Sequence, residues 1–141
     1  MALALDAAVF DVLTADKSAG SLHNKVGGRI YPSHGDPGDD FPVIVFEQTG
    51  SEVQHLFGGA LMYSDTYQVR VVNRHEEGVA AIAELADLVV GLFNGTTALT
   101  PPTNFDRAEF TVLNSTDVDR ADEILQATVN VTVQATQTTG L

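Results

Sequence analysis

The chain has 141 residues, of which 44% are hydrophobic and 7% aromatic, which suits one compact domain with a core and leaves little room for two. Nineteen acidic residues against seven basic ones give a formal net charge of -12. This charge argues against a non-specific nucleic-acid binder, because such proteins neutralise phosphates with clustered Lys and Arg, whereas the basic residues here are scattered. It also disfavours binding to an anionic membrane surface. The chain contains no cysteine, so a disulfide framework and a thiolate metal site are both excluded.

The N-terminal segment has no basic region ahead of an apolar run, and no uncharged stretch approaches about 18 residues. We therefore expect neither a signal peptide nor a membrane span. Apolar residues at steps of three and four predict a helix from about Leu3 to Asp16. The residues that define its apolar stripe are Leu3, Ala7, Phe10 and Thr14, widened by Leu5, Val9, Val12 and Leu13.

The next part of the chain predicts two strands separated by loops. Arg29-Ile30-Tyr31 is a short extended stretch, and residues 33–40 are rich in Gly, Pro and Asp, which favour turns. Val43-Ile44-Val45-Phe46 is a continuous apolar run, typical of a central strand covered on both faces. A second loop is expected from about Gly50 to Tyr63.

Periodic patterns of apolar and polar residues are clearer in the second half of the chain. Residues 65–73 predict a strand with Tyr67, Val69 and Val71 on one face, and residues 76–93 predict a helix that ends at Asn94-Gly95. A strand around Phe110 and Val112 leads through a polar turn, residues 114–122, into a strongly alternating last strand over residues 125–134. The fold class is α/β (α+β): residues 1–141 form a single domain, in which a mixed or mostly antiparallel sheet of about four main strands is flanked by two main helices.

No motif for catalysis or cofactor binding is present, and we expect no catalytic residue, cofactor or resident metal. The acidic loop with His34, Asp36, Asp39 and Asp40 could hold a divalent cation, but the same residues are typical of a solvated turn. The second acidic cluster is interpreted as a hairpin turn with exposed charges, because it lacks the ligand spacing and the glycine of a calcium loop. Its members are Asp117, Asp119, Asp122 and Glu123.

The histidines are widely separated, and we interpret His23, His55 and His75 as loop or surface residues. A competing hypothesis is a small-molecule-binding or hydrolytic α/β domain whose pocket contains His55, His75 and Glu47. That hypothesis predicts a deep pocket with convergent polar groups.

The connection over residues 51–62 is unusually apolar for a loop between strands, and exposed apolar loops often mark protein contacts. The alternative is that Leu56, Phe57, Leu61 and Met62 fold back onto the core, as part of a longer hairpin. The predicted protein interface consists of Gln54, His55, Leu56, Phe57, Gly58, Gly59, Leu61 and Met62.

A series of short motifs follows one after another along about half of the chain. They are Gly28-Arg29-Ile30-Tyr31-Pro32, the Pro-containing acidic loop, Phe41-Pro42-Val43-Ile44-Val45-Phe46, Leu56-Phe57-Gly58-Gly59, the alternating strand 67–72, an Ala-rich helix and Leu92-Phe93-Asn94-Gly95. In this order and setting, residues 28–95 resemble the tail terminator (tail completion) proteins of long-tailed bacteriophages.

The resemblance implies a structural virion protein, not an enzyme, that forms a hexameric ring with copies of itself. The ring would stop tail-tube polymerisation and provide the surface that joins the head, so its partners would be the tail-tube protein and a head–tail connector or stopper protein. It would be assembled in the host cytoplasm and located at the tail–neck junction of the virion. Another neck or connector ring protein is the alternative within the same virions.

Charge adds an expectation about such a ring. Six copies with a net charge of -12 each would carry about -72, so the acidic groups must be directed away from the subunit contacts or screened. We expect some of them to face the channel, where they would repel DNA and let it slide. The candidates for the channel or the rim are Asp36, Asp39, Asp40, Asp117, Asp119 and Asp122.

Overall fold

The computed structural model describes residues 2–15, 18–32, 42–55, 61–74, 78–94, 107–115, 119–121 and 124–137. The helices are α1 (Ala2–Thr14), the single turn α2 (Leu22–Lys25) and α3 (Val79–Phe93). The strands are β1 (Ile30–Pro32), β2 (Val43–His55), β3 (Leu61–Arg74), β4 (Arg107–Ser115), β5 (Asp119–Ala121) and β6 (Ile124–Gln137). None of the described helices is long and apolar enough to cross a membrane.

These strands form one sheet with the order β1-β2-β3-β6-β4, and β5 pairs with β6 beside this path. β1 runs parallel to β2, and every other pairing is antiparallel. The predicted mixed, mostly antiparallel α+β architecture is therefore confirmed. β2, β3, β4 and β6 are its four main strands, and α1 and α3 are its two long helices.

The core lies between the helices and one face of the sheet, which we call the helix side. Tyr67, Val69 and Val71 of β3 are buried there, as their alternation predicts. Buried residues of α3 pack against this face and join the same cluster, and the ring of Phe93 lies 5.4 Å from that of Phe110 in β4. β6 contributes Leu125, Ala127, Val129, Val131, Val133 and Ala135 to the cluster.

The opposite face of the sheet, which we call the open face, is largely polar. At its centre the Arg70 guanidinium lies 3.6 Å from the Glu47 carboxylate, and both side chains are about one-third exposed. Nearer β4, the Asn130 amide donates a hydrogen bond of 2.7 Å to the Asn114 side-chain oxygen. Val43 and Val45 are buried on this face while Ile44 and Phe46 are buried on the helix side, so β2 has both faces covered at its start, as predicted.

Two sequence-based expectations about boundaries are wrong. The loop expected over residues 50–63 is strand at residues 50–55 and 61–63, because β2 and β3 remain paired as far as His55 and Leu61. The polar turn expected over residues 114–122 contains the short strand β5, which adds to β6. In both places the sheet supplies backbone partners that local sequence does not reveal.

Part of the stripe predicted for α1 differs from the structure. Among residues 8–14, whose burial the structure describes, Val9 and Leu13 are buried, whereas Phe10 is 40% exposed. The Phe10 ring reaches the sheet from the rim of the helix and lies 6.3 Å from the ring of Phe46.

Candidate functional site

The candidate site is the outer half of the β2–β3 hairpin, residues 50–55 and 61–66, which we call the distal hairpin. A β-bulge lies where β2 enters it: Gln48 is opposite Tyr67 and Gly50 is opposite Thr66, so Thr49 is one extra residue. The Thr49 hydroxyl donates to the Thr66 carbonyl oxygen at 3.3 Å. The bulge therefore determines which side chains of the distal hairpin point to each face.

Alternation along the paired strands assigns these faces. Before the bulge, Ile44 and Phe46 lie on the helix side, whereas beyond it Ser51, Val53 and His55 do, opposite Asp65, Tyr63 and Leu61. Glu52 and Gln54 lie on the open face, opposite Ser64 and Met62.

The distal part of β2 is the most exposed stretch of strand in the hairpin. Residues 49–55 are all exposed, and the apolar side chain of Val53 is 51% exposed beside the half-buried Tyr63. An exposed β-branched residue next to an aromatic ring forms a small apolar surface at a strand edge. The distal hairpin is therefore partly apolar, although the described helices leave it largely uncovered.

The predicted interface residues fall in three groups. Gln54 and His55 are exposed at the end of β2, and Leu61 and Met62 are half-buried at the start of β3. The pairs His55–Leu61 and Gln54–Met62 place these four residues together, one pair on each face. Leu56, Phe57, Gly58 and Gly59 lie outside the described residues.

A buried carboxylate joins the two strands of the distal hairpin. Asp65 is 2% exposed, and its side-chain oxygen accepts a hydrogen bond of 2.6 Å from the Ser51 hydroxyl. Hydrogen bonds to ionised acceptors are shorter and stronger than neutral ones, and a buried charge without donors is costly. Ser51 therefore anchors the exposed end of β2 to the half-buried start of β3.

Sequence reasoning missed Val53, Tyr63 and the Ser51–Asp65 pair. Residues 51–55 do alternate between Ser, Val and His on one side and Glu and Gln on the other, but the bulge puts this alternation out of phase with that of residues 43–48. Reading the two halves of β2 separately would have found the second half of the strand.

The residues of the competing pocket are not brought together. Glu47 lies on the open face and His55 on the helix side, eight residues further along β2, which corresponds to about 25 Å of strand. His75 lies outside the described residues. An open depression of 360 Å³ lies elsewhere, between the turn at residues 18–22 and α3, and its lining includes Asp87 and no histidine.

The acidic clusters are mostly outside the described part of the chain, which includes Asp119 in β5 but not His34, Asp36, Asp39, Asp40, Asp117, Asp122 or Glu123. Among the described residues, no group of three or more His, Asp or Glu side chains is arranged to hold a metal ion.

Comparison with solved structures shows that this fold occurs in other proteins. The chain superimposes with a TM-score of 0.71 on a chain from the virion of a native gene transfer agent particle; the identity is 17%, and 94% of each chain is covered. A second solved structure gives a TM-score of 0.67 at 11% identity, with 96% of each chain covered. At these identities the likeness establishes the fold alone.

No family model matches the chain, and a search of curated proteins gives no match either.

Proposed function

We propose that this chain is a structural virion protein that forms a hexameric ring, ends tail-tube polymerisation and provides the surface that joins the tail to the head. The observation that carries the proposal is the likeness, over 94% of both chains, to a component of a gene transfer agent virion. The ordered motifs of residues 28–95, which resemble tail terminator proteins, support the same function independently of the fold.

The surface properties of the chain are consistent with an assembly role. Its net charge of -12 opposes binding to the DNA that would pass through such a ring. The distal hairpin offers an exposed strand with an apolar residue, Val53, and the predicted interface residues Gln54, His55, Leu61 and Met62 lie beside it. We therefore place contacts with other copies, with the tail-tube protein or with the connector protein at this hairpin.

The proposal includes no cofactor, catalytic residue or membrane contact. The protein acts at the tail–neck junction of the virion after assembly in the host cytoplasm. A different neck or connector ring is the second candidate, because such proteins share the need for a self-assembling ring. Small-molecule hydrolysis is disfavoured by the separation of Glu47 and His55 on opposite faces of the sheet.

A tube-length experiment tests the proposal. Purified tail-tube protein is polymerised with and without the chain, and tube lengths are measured by electron microscopy. A terminator caps tubes, so the chain should bind tube ends and stop growth at substoichiometric amounts. Light scattering at several concentrations measures the mass of free and tube-bound protein, where six copies of the 15.0 kDa chain correspond to about 90 kDa. Tubes of unchanged length with bare ends would contradict tail termination.

A further inference from the structure

Two edges of the sheet have no partner strand among the described residues. On the outer side of β2, β1 pairs only with residues 44–46, which leaves residues 47–55 uncovered within the described part of the chain. β4 is the last strand of the sheet order and pairs with β6 on its inner side. An unpaired strand edge is a row of N–H and C=O groups that can bind another strand.

The backbone groups that point outward from β2 can be identified. The Ile44 N–H donates to the Arg29 carbonyl oxygen at 2.9 Å, so the backbone groups of Ile44 point away from β3. Along an antiparallel pair this direction alternates from residue to residue. The continuous register of β3 carries the alternation past the bulge. Beyond the bulge, Ser51, Val53 and His55 direct their backbone groups outward, and their side chains lie on the helix side.

The same alternation of backbone direction, followed through β3 and β6, identifies the residues of β4 whose backbone groups point outward. Arg107, Glu109 and Thr111 bond to β6, so the residues between and after them point their backbone groups outward. These residues are Ala108, Phe110 and Val112. Their side chains belong to or pack against the core on the helix side.

The two edges are complementary in direction and in face. β2 and β4 run in opposite directions, because three antiparallel pairings separate them. A neighbouring copy placed without being turned over therefore presents its β4 antiparallel to β2. The outward residues of both edges have their side chains on the helix side, so pairing them keeps the helices of both copies on the same side of a continuous sheet.

We propose that the outer edge of β2 in one copy pairs with the outer edge of β4 in a second copy of this chain. The proposal rests on the proposed ring function and specifies its subunit contact. The two edges differ, so the contact is head-to-tail, which is the kind of contact that forms a ring when the rotation between neighbouring copies closes.

Charge and the irregularity of β4 between Val112 and Asn114 together select the register, because a shift toward that irregularity would lose regular pairing. With Val53 opposite Phe110, Glu52 faces Thr111 and Gln54 faces Glu109, and no two acids are directly opposed. A shift of two residues that brings Glu52 opposite Glu109 would place like charges together, which is destabilising. The favoured register makes three hydrogen-bonded residue pairs, or about six hydrogen bonds per contact.

Disulfide trapping tests the contact, since the chain has no cysteine of its own. Glu52 and Thr111 are both exposed, and the proposed pairing makes them a non-hydrogen-bonded pair with Cα atoms about 4.5 Å apart, within disulfide range. Within one copy they lie on strands three positions apart, about 14 Å, which is too far. The variant E52C/T111C should therefore yield covalent oligomers up to a closed ring when it is oxidised, alone at high concentration and on tail tubes.

The matched control is E52C/N114C, which keeps the second cysteine on the open face of the same exposed edge, opposite Asn130, and moves it out of register. We expect at least about fivefold less crosslinking from it, and at most dimers from either single variant. Circular dichroism of the reduced proteins checks that each variant folds. Assembled rings in which E52C/T111C crosslinks no better than the control would overturn the edge contact and leave tail termination standing. Crosslinked oligomers that do not change tube length would support the contact and contradict tail termination.

Discussion

The substitution Ser51→Ala tests how the distal hairpin is held. It removes the hydroxyl that donates to the buried Asp65 carboxylate at 2.6 Å. A hydrogen bond to a charged group contributes about 1.5–3 kcal/mol, so the free energy of unfolding should fall by about 2 kcal/mol. With a urea m-value of about 2 kcal/mol/M, the unfolding midpoint should fall by about 1 M.

Thr49→Ala is the matched control on the same strand. It also removes a hydroxyl donor, but the bond to the Thr66 carbonyl is longer, at 3.3 Å, and exposed. We expect a loss below about 0.5 kcal/mol. In the background of Asp65→Asn, Ser51→Ala should cost only about 1 kcal/mol, because the acceptor is then neutral. Equal losses for the two alanine variants, or an undiminished loss in the Asn background, would refute the role given to the buried charge.

Three further predictions concern the hairpin and the charge. Replacing Leu56 and Phe57 together by Ser should weaken assembly on tail tubes and leave the circular dichroism of the monomer unchanged. An unfolded double variant would show instead that these residues belong to the core. Deleting Thr49 removes the bulge and keeps every later residue on its face, so the free energy of unfolding should fall by about 1 kcal/mol. Deleting Glu52 should lower it further, because Val53 then changes face. Thermal unfolding compares the two variants, and equal losses of stability would contradict the assignment of faces. A titration with duplex DNA at low salt should show no appreciable binding at a net charge of -12, and submicromolar affinity would contradict the proposed conduit.

Much of the fold is predictable because burial leaves a periodic trace in the sequence. The alternation around Val69 and Val129 and the helical spacing of Ile82, Val89 and Phe93 identify the central strands and α3, and all five residues are buried in the structure. The distal hairpin lacks this trace because its β2 strand is exposed and enters through a bulge. Strand β5 lacks it because three residues are too few to show a period.

The candidate site is less predictable than the fold. The apolar composition of residues 51–62 indicated a contact surface, but the outward direction of the backbone at Val53 follows from the hydrogen bond of Ile44 to Arg29 and from the register of β2 with β3. Such information is non-local, since it depends on which strands become neighbours. The residue type at position 53 carries none of it.

The unlike edges of the sheet have a consequence for genetics. In the proposed ring, a copy whose β2 edge is blocked would keep an intact β4 edge, so it would still enter the growing ring and then prevent its closure. Such a mutation should be dominant, because one faulty copy disables its whole ring. If one fifth of the copies in an infected cell are blocked, only about a quarter of six-membered rings contain none of them. A mutation that abolishes production of the chain should, in contrast, be recessive, because the chains made from the intact gene assemble without it.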